Sequence, residues 1–182
     1  MKRVNGVLFV DYVRMIRSRK DISWSRHLLP EDMAYLTQRI EPSQWYPMEV
    51  FERFGLAILE EVAGNDLHLV RQWGRETIDS LHETQPEVFV AGDARETFMR
   101  FQILRQSLFD FPGARVTTIR DGDARLELNY EMSPRAEQAA AHQSLGFLER
   151  LVELTGAKDI EVALRTRSWE GDPTTTIVLH WK

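Results

Sequence analysis

Phe98-Met99-Arg100-Phe101-Gln102-Ile103-Leu104, then Phe111-Pro112-Gly113-Ala114-Arg115, then Tyr130-Glu131-Met132-Ser133-Pro134-Arg135 is the run on which the reading of the fold turns. Apolar residues at Phe98, Phe101, Leu104 and Leu108 predict a helix over 94–109, opened by Asp93 as its cap, and its apolar content marks it as the most buried helix of the chain. Pro112-Gly113 stops it. The period then changes from 3.6 to 2. Segments 115–120 and 124–131 flank Asp121-Gly122-Asp123, a hairpin signal. In the second strand Leu126, Leu128, Tyr130 and Met132 share one face, and Glu127, Asn129 and Glu131 the other. Ser133 is placed to cap the next helix, with Pro134 at its first position.

That helix runs to about residue 155 and closes at Gly156. Its small residues Ala139, Ala140, Ala141 and Gly146 allow close approach to a sheet, while Leu145, Leu148, Leu151 and Val152 form an apolar side. Strands follow at 160–167 and 174–181, joined by Glu170-Gly171-Asp172-Pro173. Upstream, the pattern is helical: 5–18, a short turn within 23–29, 30–40 opening on Pro30, 48–63, and 67–81. Between them, 41–47 reads as a loop or short extended piece whose Trp45 and Tyr46 tuck against the body; 83–92 is irregular. The expected fold class is α+β. A helical N-terminal part leads into strand–strand–helix–strand–strand, a four-stranded antiparallel sheet covered by the long helix, in a single domain spanning 1–182.

Bulk composition narrows the function classes. With 182 residues, 43% hydrophobic and 28% charged, the chain is long enough for a sizeable core. A net charge of −5 argues against a broad nucleic-acid or anionic-membrane surface. The complete lack of cysteine excludes disulfides, thiol nucleophiles, zinc–thiolate sites and iron–sulfur clusters. No apolar run reaches the ~18 residues of a membrane span, and Asp11, Arg14 and Arg17 break up the N-terminal apolar stretch, so the expectation is a soluble, cytoplasmic protein.

Catalytic signatures are equally sparse. The histidines His27, His68, His82, His142 and His180 form no i, i+3 or i, i+4 pair, so no metal site is expected. Glu60-Glu61 reads as a solvated face, and Asp121-Gly122-Asp123 as turn chemistry rather than a calcium loop. There is no phosphate-binding glycine loop and no nucleophile elbow. The expectation is a non-enzyme.

The Val4-Asn5-Gly6 opening, the Phe111-Pro112-Gly113-Ala114-Arg115 junction and Ser133-Pro134-Arg135 entering a long helix together resemble the heme–nitric oxide/oxygen binding (H-NOX) superfamily. That superfamily also takes in 4-vinyl-reductase-like sensors and vesicle-tethering subunits, and the sequence looks closest to a heme-less branch of myxobacterial paralogues. The resemblance implies an iron-ligating histidine nine residues ahead of Gly113, where this chain has Leu104. It also implies a Tyr-x-Ser-x-Arg grip on the heme propionates. Ser133 and Arg135 match that grip, but its tyrosine position is Glu131, with Tyr130 displaced by one, and a one-residue slip in a strand reverses the face. No cofactor is therefore expected. The vinyl-reductase-type zinc–cysteine site is ruled out by the absence of cysteine. Where relatives hold heme, Phe101, Leu104, Leu108 and Phe147 are the residues placed to line a cavity, either filled by side chains or kept as an apolar pocket. The implied function is a heme-free signalling or scaffolding module acting through a protein partner or self-association. The alternative is a sensor of a small apolar ligand.

Overall fold

A computed structural model describes residues Met1–Lys182. The chain forms two compact units, Met1–Asp66 with Ser107–Phe111, and Leu67–Gln106 with Pro112–Lys182.

The N-terminal unit begins with a three-residue strand, β1 (Arg3–Asn5), which runs antiparallel to β2 (Trp45–Pro47). Asn5 then caps α1 (Gly6–Ser18), its Oδ1 accepting the Val7 N–H at 3.0 Å. Gly6 is required by space: a Cβ there would stand 2.2 Å from the Glu41 carbonyl oxygen. Phe9 on α1 is fully buried, stacked on Tyr46 at 4.4 Å and edge-on to Tyr35 at 5.3 Å. α1 packs on α3 (Met48–Glu61), where Tyr12 stacks on Phe51 at 4.3 Å above the bare Gly55. The segment Ser107–Phe111 completes the unit. The Leu108 carbonyl accepts the Asn5 N–H at 2.8 Å, Phe109 bridges to Val4, and Asp110 pairs with Arg3 at 2.8 Å.

Two expectations for this half change. The helix expected over 30–40 shrinks to one turn, α2 (Pro30–Met33), followed by a 3₁₀ turn at Ala34–Leu36. The guanidinium of Arg17 on α1 satisfies the carbonyls of Tyr35, Leu36 and Gln38 without a longer helix. Strands β1 and β2 are too short to show a period-2 signal. Tyr46 is buried at 8% exposure, but Trp45 stays out at 38%, over Arg3, as alternation along a strand requires.

The C-terminal unit contains α4 (Leu67–Thr84), α5 (Ala94–Gln106), β3 (Ala114–Arg120), β4 (Asp123–Leu128), α6 (Pro134–Glu153), β5 (Glu161–Thr166) and β6 (Thr175–His180). Its four-stranded antiparallel sheet has the order β3-β4-β6-β5. β6 is central, and Thr175 through Leu179 are all buried. The close approach at Gly146 of α6 is to a helix, α4. A Cβ on Gly146 would lie 2.0 Å from the Arg71 carbonyl oxygen of α4, and one on Gly74 would lie 2.2 Å from that of Gln143. Ion pairs flank this crossing: Arg75 to Glu153 at 2.7 Å and to Glu149 at 3.1 Å, and Arg150 to Asp79 at 2.7 Å.

Glu153 carries a testable pH dependence. Its hydrogen bond from Arg75, aided by one from Arg150, holds its carboxyl below the usual 4.5. A depressed folded value means that its contribution is complete above the unfolded value and is lost as pH falls through the folded one. The urea midpoint of the wild type should therefore fall more steeply than that of Glu153→Gln between about pH 5.5 and 3. Parallel pH profiles would contradict this.

α5 departs most from expectation. It ends at Gln106, and it is not the most buried helix: Ile103 is 66% exposed and Met99 38%. No helix in the chain is long and apolar enough to cross a membrane.

Candidate functional site

Three elements of the C-terminal unit bring chemistry-bearing side chains together: α5, the end of β4, and α6. Alternation on β4 buries Leu126 and Leu128 and carries on past the strand to Tyr130, 3% exposed. The regular strand stops at Leu128, short of the expected 131. Asn129 accepts the Glu131 N–H at 3.1 Å through its side chain, and Glu131 takes a left-handed φ of 55°. Such backbone is uncommon outside glycine and asparagine, so a period-2 pattern gives no sign of it.

Ser133 holds the N-cap position of α6 in extended backbone, but its side chain makes no capping bond. The buried Glu137 instead turns back one helical turn to accept the Met132 N–H at 3.0 Å.

The Tyr130 hydroxyl meets Arg105 of α5, which donates to it through Nη2. Arg105 also reaches Ser144 Oγ of α6 at 3.5 Å, and its guanidinium lies over the rings of Phe147 at 5.4 Å and Tyr130 at 5.9 Å. Phe147 meets Phe101 edge-to-face at 6.1 Å. One turn earlier on α5, Gln102 donates to the Ala114 carbonyl at 3.3 Å and ties the helix to β3. Burial pushes the Tyr130 phenol above its ordinary pKa; the Arg105 charge opposes this and Glu137 adds to it. The phenol is therefore a neutral hydroxyl across the physiological range.

Of the residues singled out in the sequence, Phe101 and Phe147 come together, and Tyr130 joins them through Arg105. Leu104 sits beside Arg105 on α5, half-buried. Leu108 belongs to the N-terminal unit, where its carbonyl holds Asn5. Ser133 and Arg135 are exposed, as is Glu131, while Tyr130 faces inward. Arg105 was missed. A lone arginine on a helix resembles any solvated cation, and only the convergence of β4 and α6 distinguishes it.

The sequence resemblance assigns the heme grip to positions whose side chains here are poor donors for that group. Leu104 has no lone pair for iron, and Glu131 would set a carboxylate against a propionate.

Neither a protein-family model nor a curated protein matches the sequence. Solved structures do. The chain resembles the Fe(II) unliganded H-NOX protein of K. algicida with a TM-score of 0.66 at 9% identity, covering 98% of this chain and 96% of that one. It resembles the S. oneidensis H-NOX protein in its Fe(II)–NO state with a TM-score of 0.62 at 12% identity, covering 98% and 99%. A variant of the T. tengcongensis H-NOX protein aligns with a TM-score of 0.62 at 16% identity, covering 98% and 97%. The chain has the H-NOX fold.

Proposed function

We propose that this protein is a non-catalytic, heme-free module of H-NOX fold that works in signalling or scaffolding through protein–protein contacts, in the bacterial cytoplasm. One observation carries the proposal: at the helix position where the family's iron-ligating histidine falls, the side chain is Leu104, aliphatic and half-buried. The outward face of α5 supports the contact role, since Met99 and Ile103 expose apolar surface one turn apart beside the charged Arg95, Glu96 and Arg100. Mixed apolar and charged surface of this kind suits a non-obligate interface.

The test is to titrate the purified protein with hemin and then desalt it. The expected result is a colourless protein with no stoichiometric Soret band. A stably retained 1:1 porphyrin would overturn the heme-free reading. Light scattering with a pull-down from the native host tests the contact role: a strict monomer that captures nothing would count against it.

A second reading, a sensor of a small apolar ligand, is favoured by a separate observation. The Phe101 ring of α5 and the Phe147 ring of α6 meet edge-to-face at 6.1 Å, and Arg105 beside them has hydroxyls, not an acid, as its hydrogen-bond acceptors.

A further inference from the structure

We infer that Arg105 is the anchor for the carboxylate of an apolar, aromatic-sized organic acid, held by the guanidinium beside the Phe101–Phe147 pair. The inference rests on the second reading above and gives its ligand a chemical class.

Arg71, Arg75 and Arg150 are each about as buried as Arg105, and each is paired with a carboxylate at 3.1 Å or less. Arg105 has only neutral acceptors, the Tyr130 hydroxyl and the long 3.5 Å contact to Ser144. Two hydroxyls do not use the five N–H groups of a guanidinium or balance its charge. A half-buried cation with no carboxylate in direct contact is a costly arrangement unless something completes it.

The cation is also held in place. Tyr130 and Ser144 are 3% and 1% exposed, and the guanidinium carbon lies over the rings of both Phe147 and Tyr130. Pre-positioning of this kind reduces the ordering cost of binding.

The surroundings select the kind of anion. One guanidinium offers a fork that matches one carboxylate. The nearby Glu137 carboxylate, close enough to act on Tyr130, disfavours a dianion such as a phosphate monoester. The half-buried Phe147 ring, backed edge-to-face by the buried Phe101, supplies apolar surface for a flat body. Glu137 itself accepts the Met132 N–H, so its position is fixed by the start of α6.

Isothermal titration with 2-naphthoate and with 2-naphthamide, its neutral counterpart of the same shape, tests the assignment on the full chain. The wild type should bind the acid at least about 10-fold more tightly than the amide, the range of a charge-assisted hydrogen bond. Arg105→Met should lose that preference while keeping weak binding of both. Tyr130→Phe, which removes one hydroxyl and leaves the cation, should weaken the acid several-fold; it also serves as the informative variant if Arg105→Met does not fold. Equal binding of acid and amide by the wild type would overturn the carboxylate assignment and leave the apolar-ligand reading standing. Binding of neither probe at millimolar concentration would overturn both.

Discussion

Replacing Gly146 with alanine is expected to destabilise the C-terminal unit by about 3–4 kcal/mol, a drop in melting temperature on the order of 10 °C. An added methyl would sit 2.0 Å from the Arg71 carbonyl oxygen and 3.1 Å from the Arg75 backbone nitrogen. The obstacle is helix backbone and cannot rotate aside, so α4 and α6 must separate. That would also stretch the ion pairs of Arg75 and Arg150. Alanine's better helix propensity, about 1 kcal/mol, offsets only part of this.

Gly74 presents the reciprocal contact at 2.2 Å from the Gln143 carbonyl. Once one methyl has pushed the helices apart, the second has less left to disturb. The double replacement should therefore cost clearly less than the sum of the two single ones. Thermal or urea melts followed by circular dichroism would check this. A loss below about 1 kcal/mol for Gly146→Ala would show that the crossing is looser than described.

Asp32→Ala should be of similar size, about 3–5 kcal/mol, and confined to the N-terminal unit. The Asp32 carboxylate is fully buried. It accepts Arg53 Nε and Nη2, each at 2.7 Å, and the Leu29 N–H at 3.0 Å. Alanine would leave the Arg53 charge unpaired and the first turn of α2 without its carboxylate cap. Asp32→Asn keeps an acceptor for Leu29 and should cost less. The replacement of both partners by apolar residues, Asp32→Leu with Arg53→Met, should recover much of the loss, because removing a whole buried pair is cheaper than halving it. If the double variant is no more stable than Asp32→Ala, the cost lies in the cap and not in the stranded charge.

The order of the elements was readable because each carries its own local punctuation. Pro30, Pro134, Gly64 and Gly156 mark helix ends, and Asp121-Gly122 marks the hairpin turn. Alternation at Leu126, Leu128 and Tyr130 gave the correct buried face. The misreadings came from the same source, since composition does not say which face of a helix has a partner. α5 contains as many apolar residues as a core helix, yet Ile103 is turned outward. Gly146 of α6 signalled close approach without identifying the neighbour, which is another helix. For the candidate site, Leu104 and Glu131 could be read as departures from a family motif. Arg105 could not, because its role depends on Tyr130, 25 positions away, and on Ser144, 39 away.

The short insert Ser107–Phe111 bears on how the chain is made. Its backbone supplies an acceptor for Asn5 and a bridge for Val4, although some forty residues of the other unit are synthesised first. A ribosome-tethered intermediate ending at Asp66 would hold an unfinished N-terminal body, its β1 edge still waiting for a later piece of the polypeptide. Co-translational maturation from the front is thus delayed until position 111 has cleared the exit tunnel, and cutting the gene at the apparent boundary near 66 would yield a fragment lacking its own clasp.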